Sequence, residues 1–428
     1  MQNHSLRRLV ALASISFALT IATNTLEPAV YGHKILELVS PNLRNTALGL
    51  ITFASALVAI IFPPFIGALS DRTNSRYGPR LPFIAVGTVF IILALFSIAW
   101  SPTLGVFIAS VLIFQLSLSL IANPWQALYP DFIPQAQRGF ASGVRGVLDI
   151  LGLIIGRKVA GQLVGTIDQL GQNALFISVA VPAAAILVAL VLVAAGFGGN
   201  HKPPNGGKSS SLRTGWRQAY YIDFKSHPAF AWWFANRFLF WMAFNILATF
   251  LLFYAIDVVG LPEAEAQVYL GNLALVLGSA IMVVTLPAGW LADRIGRKPL
   301  VAGSGFLAVV GAVILVFMRD LNVLTVAGAI IGLAAGVFTS ANFALITDIV
   351  PPEESGRYMA VAGIASASGG AVARLLGALV VDPLNAYFSS QSAGYLILYG
   401  AAAAFFFLSA LTALRIPVHK INHTRESG

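Results

Sequence analysis

Residues 67–84 read GALSDRTNSRYGPRLPFI, and residues 289–301 read GWLADRIGRKPLV. Each is a short, charged, glycine-bearing break between two long apolar runs. The first carries Gly67, Asp71, Arg72 and Arg76; the second carries Gly289, Asp293, Arg294 and Arg297. Two apolar runs later a second kind of loop follows each of them: NPWQALYPDFIPQAQRG at 123–139, with Asp131 and Arg138, and NFALITDIVPPEESGRY at 342–358, with Asp348 and Arg357. The same loops in the same order, twice, mark a duplicated unit. Glycine allows a sharp turn between helices, and the charges can pair with helix ends and with the neighbouring Asp-to-Arg loop. These residues are therefore expected to form a latch on one face of the molecule that breaks and reforms.

Outward from these loops the chain is apolar. It is 57% hydrophobic and 10% charged, with a mean hydropathy of +0.81, where soluble domains carry roughly 25% charged residues. Twelve runs reach the length of about 20 residues that crosses a ~30 Å hydrocarbon core as a helix: 8–36, 45–69, 80–101, 103–129, 140–166, 173–196, 229–257, 265–291, 299–318, 323–347, 357–382 and 393–416. They are continuous rather than alternating, which excludes a transmembrane barrel. The one long hydrophilic stretch, GFGGNHKPPNGGKSSSLRTGWRQ at 196–218, is rich in Gly, Pro and Ser. The expected fold class is an all-α membrane protein of twelve transmembrane helices in two six-helix halves, 1–196 and 228–428, joined by a linker at 197–227.

The formal net charge is +9, and most of the 26 Lys and Arg fall at the two ends, in the linker and in the loops on the same side. Lys34, Arg44 and Arg319 lie on the opposite side. This asymmetry follows the positive-inside rule and places both termini in the cytoplasm. The basic balance thus reports topology in a plasma (inner) membrane and not nucleic-acid binding. The chain has no Cys, no zinc-protease, nucleophile-elbow or P-loop pattern, and no His cluster, so an enzyme, a metal site and a cofactor are not expected. The expected partners are a small-molecule substrate, protons and the bilayer, with the chain as a monomer.

Ionisable groups inside a membrane cost at least about 2.5 kcal/mol each and are functional candidates. In the first span, at about 100° per residue, Thr20, Asn24, Glu27 and Tyr31 share a polar stripe about 60° wide. Glu27 is the first candidate for carrying a proton, with Pro28 loosening the helix beside it. In the fifth span Arg145 and Asp149 are four apart, and either pair structurally or serve substrate and proton. Of the adjacent Arg157 and Lys158, which point about 100° apart, Arg157 is expected at the cavity. Arg237 has Trp241 and Phe244 at spacings of four and seven, a donor with two aromatic faces of the kind that binds sugars. Trp232 and Trp233 are expected in the interfacial belt. Arg374 lies 17 residues past Arg357, about 25 Å along its helix. Gln126 is a candidate hydroxyl ligand.

GWLADRIGRK closely fits the G-x-L-x-D-R-x-G-R-K loop of the major facilitator superfamily, which the whole chain resembles. The longer form GALSDRTNSRYGPRLPFI is similar to that of the sucrose transporters, close to the glycoside-pentoside-hexuronide symporters. QALYPDFIPQAQRGFASG sits where sucrose transporters have R-A-L-L-A-D, but with Gln126 in place of the Arg, which puts sucrose itself in doubt. The fifth span lacks the G-x-x-x-G-P-x-x-G-G pattern of drug/proton antiporters. The resemblance implies alternating access and favours proton-coupled symport of a sugar or glycoside. Under it, Arg145 matches an Arg that glycoside symporters use at their sugar site, and Arg374 matches the cationic residue of their eleventh helix. The rival readings are an efflux carrier or flippase for an amphipathic or anionic molecule, and a non-transporting receptor or scaffold.

Overall fold

The computed structural model describes residues 6–73, 75, 78–134, 137–197, 224, 226–350 and 355–417, and among these every regular element is a helix. The first half runs α1 (Leu6–Thr25), a π-helical segment (Leu26–Val30), α2 (Tyr31–Leu38), α3 (Arg44–Ile61), α4 (Pro63–Arg72), α5 (Leu81–Trp100), α6 (Leu104–Phe132), α7 (Arg138–Val164), the short α8 (Ile167–Leu170) and α9 (Asn173–Phe197). The second runs α10 (Pro228–Thr249), α11 (Leu251–Asp257), α12 (Glu263–Ile295), α13 (Arg297–Phe317), α14 (Leu321–Ile349), α15 (Ser355–Tyr387) and α16 (Ala393–Leu414).

These runs are helical because in hydrocarbon every backbone N–H and C=O must be satisfied within the segment. Ten helical spans among the described residues are long and apolar enough to cross a membrane, and α10 with α11, bent by 45°, makes an eleventh. The twelfth is α7, whose Arg145, Asp149, Arg157 and Lys158 make it the most polar of the set. Helix starts follow local chemistry. Prolines open α4, α5 and α10, where the missing N–H costs nothing. Asp320 accepts from the N–H groups of Asn322 and Val323 at 2.9 and 3.1 Å and caps α14. The two Asp-Arg breaks share one backbone device, since Gly78 and Gly296 sit at φ 87° and 97°, a region that L side chains rarely adopt.

The duplicated unit is visible in the packing. In the first half α1 packs on α7 and α9, and α5 on α6 and α9; in the second, α10 packs on α15 and α16, and α13 on α14 and α16. The halves meet along two seams, α3 against α15 and α7 against α12. Both seams close almost backbone to backbone. A Cβ on Gly49 would stand 2.5 Å from the Arg374 carbonyl oxygen, and one on Gly161 would stand 2.5 Å from that of Gln267. Lys298, two residues past Gly296, donates to the Ile416 carbonyl at 2.8 Å, so the last described residues lie at the end that carries the Asp-Arg loops, called here the proximal end; the other is the distal end. Of the linker 197–227, only residues 197, 224, 226 and 227 are described.

Candidate transport site

The first span breaks where a charge sits in it. Glu27 has φ −103° and ψ 128°, outside the helical range, as expected for a residue followed by a proline. The break sets the Glu27 carboxylate against the other half, where its Oε2 lies 3.2 Å from Arg374 Nη2. From the fifth span, Arg157 Nε donates to Asn24 Oδ1 at 3.1 Å, and Asn24 Nδ2 donates to the Thr20 carbonyl at 2.9 Å. A cavity of about 80 Å³ lies among them, lined by Glu27, Thr52, Arg157, Phe244, Asn245 and Thr249. Four spans thus bring one carboxylate, one guanidinium, one amide, hydroxyls and one aromatic face to a single space, and Arg374 of a fifth span reaches the carboxylate. That set offers donors and acceptors in alternation to a ligand rich in hydroxyls. Two buried donors, Arg374 Nε and Trp241 Nε1, have no hydrogen-bond partner among the described residues.

Asp149 and Arg145 form a second group. Arg145 Nε lies 3.4 Å from Asp149 Oδ2, Ser16 Oγ donates to Asp149, and the Arg145 guanidinium covers the Trp125 ring at 4.8 Å. At 1.5 Å per residue Asp149 stands about 12 Å proximal to Arg157 on the same helix. Gln126, on the neighbouring helix, is exposed.

Other candidates lie elsewhere. Tyr31 is buried, edge-on to Phe107 at 5.6 Å, and does not line the cavity. Arg237 does not stand over Trp241 and Phe244. It lies instead over Trp233 at 5.5 Å, with Nε donating to Ser366 Oγ and Nη1 to Asn342 Oδ1, both at 2.8 Å. Trp233 is not in an interfacial belt, because it is 1% exposed and donates to the Asn342 carbonyl at 3.0 Å. Trp241 instead meets Phe244 edge-on at 5.5 Å. Lys158 leaves Arg157's side and donates to Asn272 across the α7–α12 seam. Arg237 therefore ties three helices of one half together. Arg237→Met is expected to lower the unfolding midpoint in detergent by about 5 °C, with Arg237→Lys recovering only part of it, because an ammonium cannot reproduce the forked pair of bonds. A midpoint unmoved by both substitutions would contradict this role.

Of the latch residues, Arg297 Nη1 donates to Asp348 Oδ1 at 2.5 Å and to the Ala344 carbonyl at 2.6 Å. Arg294 turns onto the Trp290 ring at 3.9 Å. A Cβ on Gly289 would meet Ser340 Oγ at 3.3 Å, whereas one on Gly67 would have nothing within 4 Å. Arg76 and the side chains of Asp71, Arg72, Asp131, Arg138, Asp293 and Arg357 lie outside the described residues.

A cluster that sequence reasoning missed closes the distal end. Arg44 pairs with Asp257 across the halves. Asn45 Nδ2 donates to Asp382 Oδ1 and the Thr46 N–H to Asp382 Oδ2, at 2.8 and 2.7 Å. Tyr395 donates to Asp257 Oδ2 at 2.6 Å and accepts from Asn45 Nδ2 at 2.8 Å. His33 Nδ1 and Glu263 Oε1 meet 2.7 Å apart between the same halves. The only signal in the sequence is that the first and fifth spans of the second half each end on an aspartate.

Charges paired across the join of two matching six-helix units suit a carrier, and the comparisons agree. The family described as MFS/sugar transport protein matches residues 12–420. This chain belongs to that family. Among relatives of this MFS chain, the general alpha-glucoside permease of Schizosaccharomyces pombe is 27% identical over 145 residues, 29% of this chain and 26% of that one. Sucrose transport protein SUC3 of Arabidopsis thaliana is 26% identical over 148 residues, 28% of this chain and 25% of that one. The chain thus spans about a quarter of the length of these curated relatives. Among solved structures, an auto-inhibited POT family peptide transporter superposes with a TM-score of 0.72 at 14% identity, over 99% of this chain and 98% of that one. That likeness is one of fold. The MFS chain is a multi-pass membrane protein of the transporter class.

Proposed function

We propose that this chain is a proton-coupled symporter of a sugar or glycoside that works by alternating access, with Glu27 as the proton carrier. The observation that carries the reading is the Glu27–Arg374 ion pair, made between the halves beside a polar cavity. A proton on Glu27 removes the charge that holds Arg374, and the freed guanidinium can then donate to a substrate hydroxyl. Proton and sugar thereby load the same site in turn, which is what coupling requires. Asn24, Arg157 and Asn245 would share the hydroxyls, and Phe244 would face a C–H surface of the ring. Asp149 with Arg145 offers the proton a next station toward the proximal end. Likeness to an alpha-glucoside permease and a sucrose transport protein supports sugar as the cargo.

In this reading the termini and the linker are cytoplasmic, the membrane is the plasma (inner) membrane, the units 1–196 and 228–428 rock about the site, and the chain works as a monomer. The distal end then faces outward, and the state described is closed to the outside. The loop residues around Arg297 and Asp348 act as the cytoplasmic latch. No covalent bond is made or broken, so the chain is a carrier and not an enzyme. Glu27 and Arg157 on the cavity wall, with Arg374 paired to Glu27 behind them, make two guanidinium groups against one carboxylate, which favours a second reading in which the cargo is an anionic sugar acid.

The test is proton movement in proteoliposomes on adding sucrose, maltose, glucose and glucuronide in turn. Proton uptake with a neutral sugar is the expected result, and uptake with glucuronide alone would select the sugar acid. Silence with all four by folded protein would remove sugar symport.

A further inference from the structure

Beside the polar cavity lies a second one of about 90 Å³ that shares Arg157, Phe244 and Ala248 with it. Beyond that join its wall is apolar, formed by Leu270, Leu273, Ala274, Leu277, Leu324 and Ile331. Protein interiors leave few voids larger than a water molecule, and a void lined by Leu and Ile stays dry while accepting an apolar guest. A hydroxyl pushed into this annex would lose its water and find no partner, at a cost of several kcal/mol. At its mouth, Arg157 has one described hydrogen bond, Nε to Asn24, out of the five N–H donors that a guanidinium carries. The two adjacent spaces therefore sort a ligand by polarity, with hydroxyls on the Glu27 side and hydrocarbon on the leucine side.

We propose that the leucine-walled annex takes the apolar substituent of an amphipathic glycoside whose sugar occupies the polar cavity; this rests on the sugar reading above. An apolar cavity of about 150 Å³ holds benzene, so this smaller one suits an alkyl chain of roughly three to four carbons.

The full chain in proteoliposomes is challenged with alkyl glucosides from methyl to hexyl, and the half-saturating concentration for proton uptake is read for each. Each methylene that enters the annex is expected to lower that concentration by up to about fourfold, so butyl improves on methyl by tens of fold and hexyl adds nothing further. Ala274→Leu, which fills the annex, should flatten the series so that butyl and methyl glucoside differ by less than about fourfold. Leu273→Ala, which enlarges it, should extend the gain to hexyl. Half-saturation independent of chain length, with protons still moving on methyl glucoside, overturns the annex and leaves sugar symport standing. A gain along the series that neither variant alters places the chains elsewhere and overturns it too. No proton movement with any glucoside overturns both.

Discussion

Glu27→Gln is expected to abolish sugar-driven proton uptake while sugar exchange across the same membrane persists and its half-saturation improves about tenfold. Gln is close in shape to the protonated acid but cannot gain or lose the proton. In the described state the Glu27 carboxylate holds Arg374 Nη2 at 3.2 Å. A hydrogen bond to a charged group contributes about 1.5–3 kcal/mol, so its loss releases Arg374 by roughly ten- to a hundredfold in population. The variant therefore has the guanidinium permanently available to sugar hydroxyls and has lost the step that links it to protons. The measurement is paired: pyranine-type proton uptake and labelled-sugar counterflow on the same proteoliposomes. Retained proton uptake in the variant would assign coupling to another group, with Asp149 the next to test. Arg374→Ala should act in the opposite sense, weakening sugar binding and leaving Glu27 with only Arg157, the cation on the cavity wall.

Asp382→Asn is expected to open the distal end. The Asp382 carboxylate accepts from Asn45 Nδ2 and the Thr46 N–H across the halves, and it is 7% exposed. Weakening two such bonds removes about 3 kcal/mol from the closed state, which is roughly a hundredfold in the ratio of closed to open. The chain has no Cys, so a single reporter is clean. Ala378→Cys is suited to it, because Ala378 is 1% exposed and lies where a Cβ on Gly49 would meet it at 2.7 Å. Membrane-impermeant maleimide should label this reporter slowly alone and about a hundredfold faster with Asp382→Asn. Arg44→Ala should act in the same direction by freeing Asp257. Equal labelling rates in all three backgrounds would show that these contacts do not hold the distal end shut.

What the sequence made legible was whatever broke an apolar pattern. Glu27, Arg157 and Arg374 interrupt greasy helices, and the structure places all three at one site. The Asp-Arg loops repeat, so the two halves could be read directly. The distal cluster was not legible because Arg44, Asp257 and Asp382 sit at span ends, where charges are ordinary and carry no signal of pairing. A helical projection sets Tyr31 on a polar stripe, and that projection stops holding at Glu27, where ψ reaches 128°. For Arg237 the spacing points to Trp241 and Phe244, yet Trp233 lies at the same spacing of four on the other side. Only Asn342 and Ser366, on other helices, decide between them.

The glycine contacts at Gly49 and Gly161 set main chain against main chain. A door closed in that way recognises only the shape of its own frame and nothing about what passes through it. The fit of the seams then rests on main-chain atoms and the proposed choice of cargo on side chains, even at Arg374, which supplies one of each. On the proposed sugar reading, altering residues such as Asn24, Asn245 or Ala274 is expected to change the cargo with the hinge and its closure left untouched.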